Sequence, residues 1–532
     1  PLKQLVSGSP NVLAGSRTDV KEKDKDCSSQ DTLIPVYAAS ITFAIGVAIA
    51  LVLHIFSSQV VAKGVLVSDH ERCTALGMRV LHDRGSSVDA AITAALCLGV
   101  VHPHESGVGG GGVMLVHDIH KNKTRVIHFQ GTAPKALKEE MLQNISEAGL
   151  QVGVPGLLRG LHHAHSLYGS LSWEDVVTRA TAVAREGFNV SFSLAEAVSK
   201  VKGEQLSQRF RDMFFPDGKA LRPGSFLKMP SLAGVLEAGL SNFYDGNFSQ
   251  EMEDEVRVNG GVLTRDDISN YSVQCVSEFI IQVPPPPSAG AVLISALRLL
   301  QGFHLNENNN TENQTYHWIA QAMKAALAMA SGLGDPRFNS SVTELLSDML
   351  SKGQAEVLHQ RIDSSAVHSL SHCLHSDIND FITRSGIILN SLILDFSWPN
   401  KTRGQLLTNQ RNRVQPGKRP LSSLMPTIVV PTWHECGIYT ALSSSGGQQS
   451  LSVIAQVLIS VLSFHKEKNE SLSLRRLQPK RLFVDSAFPE ESVEFLHESS
   501  PKVQRVKTVQ GILRNKDTIT AITLPQLSDS LL

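Results

Sequence analysis

An α+β fold is predicted by three features of this 532-residue chain. Helical periodicity dominates from residue 70 to about Leu240, short β-like runs crowd the C-terminal third, and no internal repeat is visible. A sheet that looks antiparallel, layered with helices, accommodates all three.

The elements follow in chain order. The run VVAKGVLV (60–67) reads as a short strand. HERCTALGMRVLHDRG reads as a helix closed by Gly85, and SSVDAAITAALCLGVV as a second, opened by Ser86 or Ser87 as N-cap. A glycine-dense turn, SGVGGGG, then leads into the apolar run VMLVHD, a strand. GGVLTRDDISNY (260–271) reads as a turn and a short capped helix. EFIIQV is strand-like, Pro284 to Pro287 stiffen a turn, and SAGAVLISALRLLQGF is an amphipathic helix. GIILN, PTIVVPT, CGIYTALSS and RLFVDS are β-like, with the helical SLSVIAQVLISVLSF among them.

With 49 Lys+Arg against 50 Asp+Glu the net charge is -1, so no basic excess marks a nucleic-acid surface. One local feature escapes that average. Val36 to Phe56 contains no Asp, Glu, Lys or Arg, and as a helix it extends about 32 Å, enough to cross a bilayer core. A cleaved signal peptide or a buried core helix is the alternative; the length of the apolar run favours a retained anchor. Arg17, Lys21, Lys23 and Lys25 precede the span and only Lys63 and Arg72 closely follow it, which places 1–35 in the cytoplasm and the remainder in the lumen or outside the cell. The expected topology is single-pass type II. Sequons agree: Asn122, Asn144, Asn189, Asn247, Asn270, Asn309, Asn313, Asn339, Asn400 and Asn469 each start an Asn-x-Ser/Thr triplet, all beyond the span. Five cysteines beyond the span (Cys73, Cys97, Cys275, Cys373, Cys436) allow at most two internal bridges.

Several motifs invite chemistry and fail on context. Gly107, Gly109 and Gly112 fit G-x-G-x-x-G, but a dinucleotide turn follows a strand and opens a helix, whereas this one follows a helix and opens a strand. It reads as a turn bringing backbone close to a ligand or another strand. His359, His368, His372, Cys373 and His375 lack the H-E-x-x-H arrangement and sit in a serine-rich stretch, so a solvated loop is expected and no metal. His102-Pro103-His104-Glu105 and His434-Glu435-Cys436 read as turn residues. Two positive signals remain. Ser443 to Gly447 joins a strand to a helix and exposes consecutive N–H groups, the geometry of an oxyanion hole. Ser422-Ser423, after the basic VQPGKRPL, present paired hydroxyls at a strand edge.

Taken in order, GSSVDAAITAALCLGVVHPHESGVGGGG, VGVPG (152–156), GGVLTRDDISNY, PPPPSAGAVL, LGDP (333–336), SGIILNSLILDFS (385–397), PLSSLMPTIVV and SSSGG make the chain resemble the gamma-glutamyltransferase (glutathione hydrolase) family from about Gly64 onward. The anchor, LDFSWPN and VQPGKRPLS resemble a membrane-anchored branch of it. The resemblance implies a four-layer αββα N-terminal-nucleophile hydrolase that cuts itself into two subunits, here 57–384 and 385–532. It implies a threonine at the new N-terminus attacking a γ-glutamyl carbonyl, its own amine taking the proton. It also implies Gly446 and Gly447 at the oxyanion, Ser422 and Ser423 at the substrate α-carboxylate, Asp395 at its α-ammonium, a small-molecule substrate such as glutathione, and no cofactor.

Three positions depart from the family pattern. The carboxylate-binding arginine falls on Gln130 of HFQGTAP, a change that removes a charge-assisted pair worth about 1.5–3 kcal/mol. The acidic partner upstream of Asp395 is Leu392. The nucleophile is expected between Pro336 and Ser385, an interval of 48 residues whose threonines are Thr343, in a helical pattern, and Thr383, directly before SGIILN. Neither leads a strand, and two central strands are missing. The alternative is therefore a catalytically silent member acting as a binding ectodomain.

Overall fold

The computed structural model describes residues 43–49, 64–144, 148–201, 206–276, 282–302, 312–364, 381–398, 409–430 and 438–444, with shorter strand and helix pieces from 454 to 523. Two compact units divide the chain, Pro1–Lys63 and Gly64–Leu532. In the first, 43–49 are helical. Among the described residues no helix is long and apolar enough to cross a membrane. The rest of the expected span, 36–42 and 50–56, lies outside them.

The second unit begins with a disulfide-stapled helical pair. In helix Glu71–His82 the Arg72 N–H donates to the His70 ring, and Ser86 caps helix Ser87–Val101 through a reciprocal capping box with Asp89. Cys73–Cys97 joins the two helices. Asp89 is fully buried, and its Oδ2 accepts N–H groups from Ser86, Ser170 and Leu171. Burial opposes its ionisation, yet these three donors hold its carboxyl below the usual range. Ile92 and Leu96 of the second helix bury against helices Leu157–Tyr168 and Trp173–Glu186, each side chain contributing about 1.5–3 kcal/mol.

Twelve strands are described: β1 (Val113–Asp118), β2 (Lys123–His128), β3 (Phe188–Asn189), β4 (Phe226–Leu227), β5 (Gln274–Val276), β6 (Thr427–Val429), β7 (Ile438–Ser443), β8 (Arg475–Gln478), β9 (Arg481–Val484), β10 (Val503–Arg505), β11 (Gln510–Asn515) and β12 (Thr518–Thr523). They form antiparallel sheets β1-β2-β5, β12-β11-β7-β6 and β3-β4, and a mixed sheet β10-β9-β8. A second apolar cluster packs helices Gly290–Gln301 and Glu312–Ala330 against Met425 and Leu442. The mixed helix-and-strand class is the one expected.

The glycine turn does join a helix to a strand. A Cβ on Gly109 would stand 2.1 Å from the Ile388 carbonyl oxygen, and one on Gly111 would stand 2.6 Å from that of Phe129, so close backbone approach explains the glycines. Two expected strands are corrected. Residues 64–67 of VVAKGVLV carry no regular structure, and GIILN makes only the single bridge Ile382↔Ile388. GIILN bonds back across a turn, the Thr383 N–H to the Ile387 carbonyl and the Leu389 N–H to the Phe381 carbonyl, while the Asn390 side chain ties its end to the Gly109 and Gly153 carbonyls. Of EFIIQV only Gln282 and Val283 are described, with Gln282 bridged to Ile428.

Candidate functional site

β2 delivers His128 into the interior, and the chain continues through Phe129 to Gln130, which is 3% exposed. The Gln130 carbonyl accepts from the Tyr271 hydroxyl at 2.9 Å and from Arg419 Nε at 3.0 Å, while its own Oε1 is buried with no hydrogen-bond partner. Arg419 is 1% exposed and also donates Nη2 to the Ser272 carbonyl. Its neighbour Lys418, equally buried, donates Nζ to the Arg413 carbonyl and accepts the Ala133 N–H on its own.

Asp335 of LGDP completes this seam. It accepts the Arg419 backbone N–H at 3.2 Å and two side-chain bonds from Arg337. Burial pushes the Asp335 carboxyl up, but the Arg337 hydrogen bond and charge outweigh it and hold the group below its ordinary value. Burial lowers Lys418, with Asp335 partly restoring it. Burial, then the Arg419 charge, lowers His128 to about 3, so this ring is neutral, with Nε2 3.3 Å from the Ser288 hydroxyl.

The other expected residues reach the same seam through two asparagines. Asn390 donates Nδ2 to the Gly109 and Gly153 carbonyls and accepts the Gly153 and Leu392 N–H groups on Oδ1. That seats Leu392 so closely that a Cβ on Gly131, next to Gln130, would lie 2.9 Å from Leu392 Cδ2. Asp395 ends the 3-10 turn Leu392–Asp395, and its carbonyl accepts from Asn412 Nδ2, whose Oδ1 takes the Leu421 N–H. Ser422 follows, anchored by its N–H on the Pro287 carbonyl and bridged to Ser288, with Ser423 half-buried beside it. Backbone hydrogen bonds thus place Gln130, Asp395 and Ser422 along one seam, with Ser423 next in sequence.

Neither threonine in the interval of interest is placed to attack. Thr343 lies within helix Ser341–Met349. Thr383 is fully buried in a turn, its Oγ1 receiving the Ile387 N–H and lying 3.0 Å from the Ser385 hydroxyl. Gly446, Gly447, His368, His372, Cys373, His375 and residues 365–380 lie outside the described residues, as do His434, Glu435 and Cys436; the side chain of His359 does too. Among the described residues no group of His, Cys, Asp or Glu is gathered to hold a metal. Sequence reasoning missed Asp335, Arg337, Arg419, Asn390 and Asn412. The available signals were the Asp-x-Arg of LGDPR and the Lys-Arg pair next to a proline, neither of which marks its charge as buried.

The pattern of the gamma-glutamyltranspeptidase family matches residues 73–380 and 378–529. The two stretches overlap at 378–380, inside the interval between Pro336 and Ser385. Human glutathione hydrolase 7 is 42% identical over 591 positions covering 99% of this chain and 89% of that one. Since 591 positions exceed the chain's 532 residues, at least the difference of 59 aligns with nothing in this chain. Glutathione hydrolase 2 of Arabidopsis thaliana is 30% identical over 76% of this chain and 78% of its own. Cephalosporin acylase from Bacillus halodurans has the same fold, with TM-score 0.73 at 22% identity over 85% of this chain and 92% of that one. The gamma-glutamyltranspeptidase of Helicobacter pylori superposes at TM-score 0.51 and 25% identity, covering 56% and 91% of the two chains. This chain belongs to the gamma-glutamyltranspeptidase family.

Proposed function

We propose that this chain is a glutathione hydrolase, a γ-glutamyltransferase held on the membrane by one N-terminal span with its bulk in the lumen or outside the cell. The reaction cleaves the γ-glutamyl amide of glutathione or its conjugates and passes the acyl group to water or to an amino acid or dipeptide amine. The single observation carrying this reading is the run of backbone hydrogen bonds that brings Gln130, Asp395 and Ser422 together, with Ser423 next in sequence. The serine hydroxyls and the Gln130 amide receive the α-carboxylate, the Asp395 carboxylate receives the α-ammonium, and the Gly446 and Gly447 N–H groups stabilise the oxyanion. The fold is the four-layer αββα arrangement of N-terminal-nucleophile hydrolases, divided into 57–384 and 385–532.

A second reading is favoured by a specific observation. The family pattern matches in two separate stretches that meet at 378–380, within the interval where the nucleophile is expected, and on this reading the chain is a γ-glutamyl-binding ectodomain without the covalent step. The full chain, expressed through a secretory pathway, separates the two. Release of chromophore from a γ-glutamyl anilide together with two fragments on a denaturing gel supports the enzyme. A single full-length band without release rejects it and leaves the binding ectodomain.

A further inference from the structure

β3 and β4 form a two-stranded ribbon whose register sets Phe188 opposite Leu227 and Asn189 opposite Phe226. Directly opposed residues of an antiparallel pair share a face, with Cβ atoms about 4.5–5.5 Å apart. The burial pattern agrees, since Phe188 and Leu227 are buried while Asn189 and Phe226 face outward. The Phe226 ring, 60% exposed, nevertheless rests against backbone. It lies over Gly187, where a Cβ would stand 2.5 Å from its Cζ, and the Lys228 ammonium sits 5.8 Å from its centroid. An aromatic face that is held in place and left open to solvent is a preorganised apolar platform. The outward residue beside it opens the triplet Asn189-Val190-Ser191. Ser191 supplies the sequon hydroxyl and also caps helix Phe192–Lys200 through the Leu194 N–H at 3.2 Å.

We infer that Asn189 carries an N-linked glycan whose first N-acetylhexosamine stacks on the Phe226 ring. In the transfer, Asn189 Nδ2 forms a bond to C1 of the sugar as the C1–O bond to a lipid pyrophosphate breaks; Nδ2 loses one proton and the lipid pyrophosphate departs. The inference rests on the lumenal orientation proposed above. Its distinctive content is the partnership: the sugar covers the Phe226 face, so glycan and ring stabilise the ribbon together rather than separately.

The test expresses the full chain in secretory cells, reads occupancy by glycopeptide mass spectrometry, and compares thermal unfolding of wild type, Asn189→Gln, Phe226→Ser and the double variant. Asn189 is expected to be modified in wild type and in Ser191→Thr, which keeps both cap and sequon. Asn189→Gln is expected to lower Tm by roughly 1–3 °C, with little further loss when Phe226→Ser is already present. An unmodified Asn189 in a chain glycosylated at Asn122 or Asn247 overturns the inference and leaves the orientation standing. Additive Tm losses overturn the stacking. A chain without any glycan overturns both the inference and the orientation it rests on.

Discussion

Around Cys97 the interior is almost wholly apolar, with Ile92, Leu96, Val100, Leu161 and Val176 packed between helices. Around Arg419 the interior holds a guanidinium, an ammonium, a carboxylate and an imidazole, all nearly inaccessible. The first region is specified by periodicity and tolerates exchange of one apolar side chain for another of similar volume. The second depends on each polar atom meeting a named partner, because a buried charge stripped of its partner keeps the full desolvation cost. A fold that spends this much buried charge beside the positions expected to hold a zwitterionic substrate shapes that wall with hydrogen bonds rather than with apolar contact.

The largest test of this contrast removes the seam's centre. Arg419→Met leaves the Ser272 carbonyl without its Arg419 donor and the Gln130 carbonyl with the Tyr271 hydroxyl alone, and is expected to cost about 1–3 kcal/mol in urea denaturation. A loss under 1 kcal/mol would dissolve the distinction between the two regions.

Acidification strikes both regions through buried neutral histidines. His102 and His104, at the end of the stapled helix pair, are lowered to about 3 and about 4, chiefly by burial, and His128 in the seam to about 3. Each stabilises the fold fully above its unfolded pKa near 6.5, and the contribution is lost as pH falls from there toward the folded value. Each should therefore remove about 1.4 kcal/mol per pH unit below 6.5. Denaturation midpoints at pH 7.5, 6 and 5 check this, and His128→Asn should flatten only the seam's share. A stability unchanged down to pH 5 contradicts it.

Ser86→Ala deletes half of the capping box and should cost about 1 kcal/mol, read as a lower Tm. Smallest of all, Arg185→Met breaks an exposed pair with Glu237 and should leave Tm unchanged within the error of the measurement.

The contrast also explains what the sequence made legible. Ser86 as cap, the helices at 71–82 and 87–101, the strand VMLVHD and the capped turn at Thr264 are all local, and all stand where periodicity and capping placed them. The glycine turn was legible as a close approach, though not that its partner is Ile388, 279 residues after Gly109. GIILN misled because an apolar run carries no sign of how far its pairing extends, here a short return across a turn onto Phe381 and Thr383. Asp335 and Arg419 lie 84 residues apart, so their meeting has no local signal. For the same reason Gln130, Asp395 and Ser422 are related by resemblance in the sequence and by hydrogen bonds only in three dimensions.

The bonds that bring Gln130, Asp395 and Ser422 together are proposed to hold the γ-glutamyl group for cleavage. Titrating glutathione into the purified full chain while monitoring γ-glutamyl anilide turnover and self-cleavage is the sharpest check. Saturable glutathione binding, weakened by Ser422→Ala, with chromophore release and two fragments, is the predicted result. A single full-length band without release would contradict cleavage and leave the binding ectodomain.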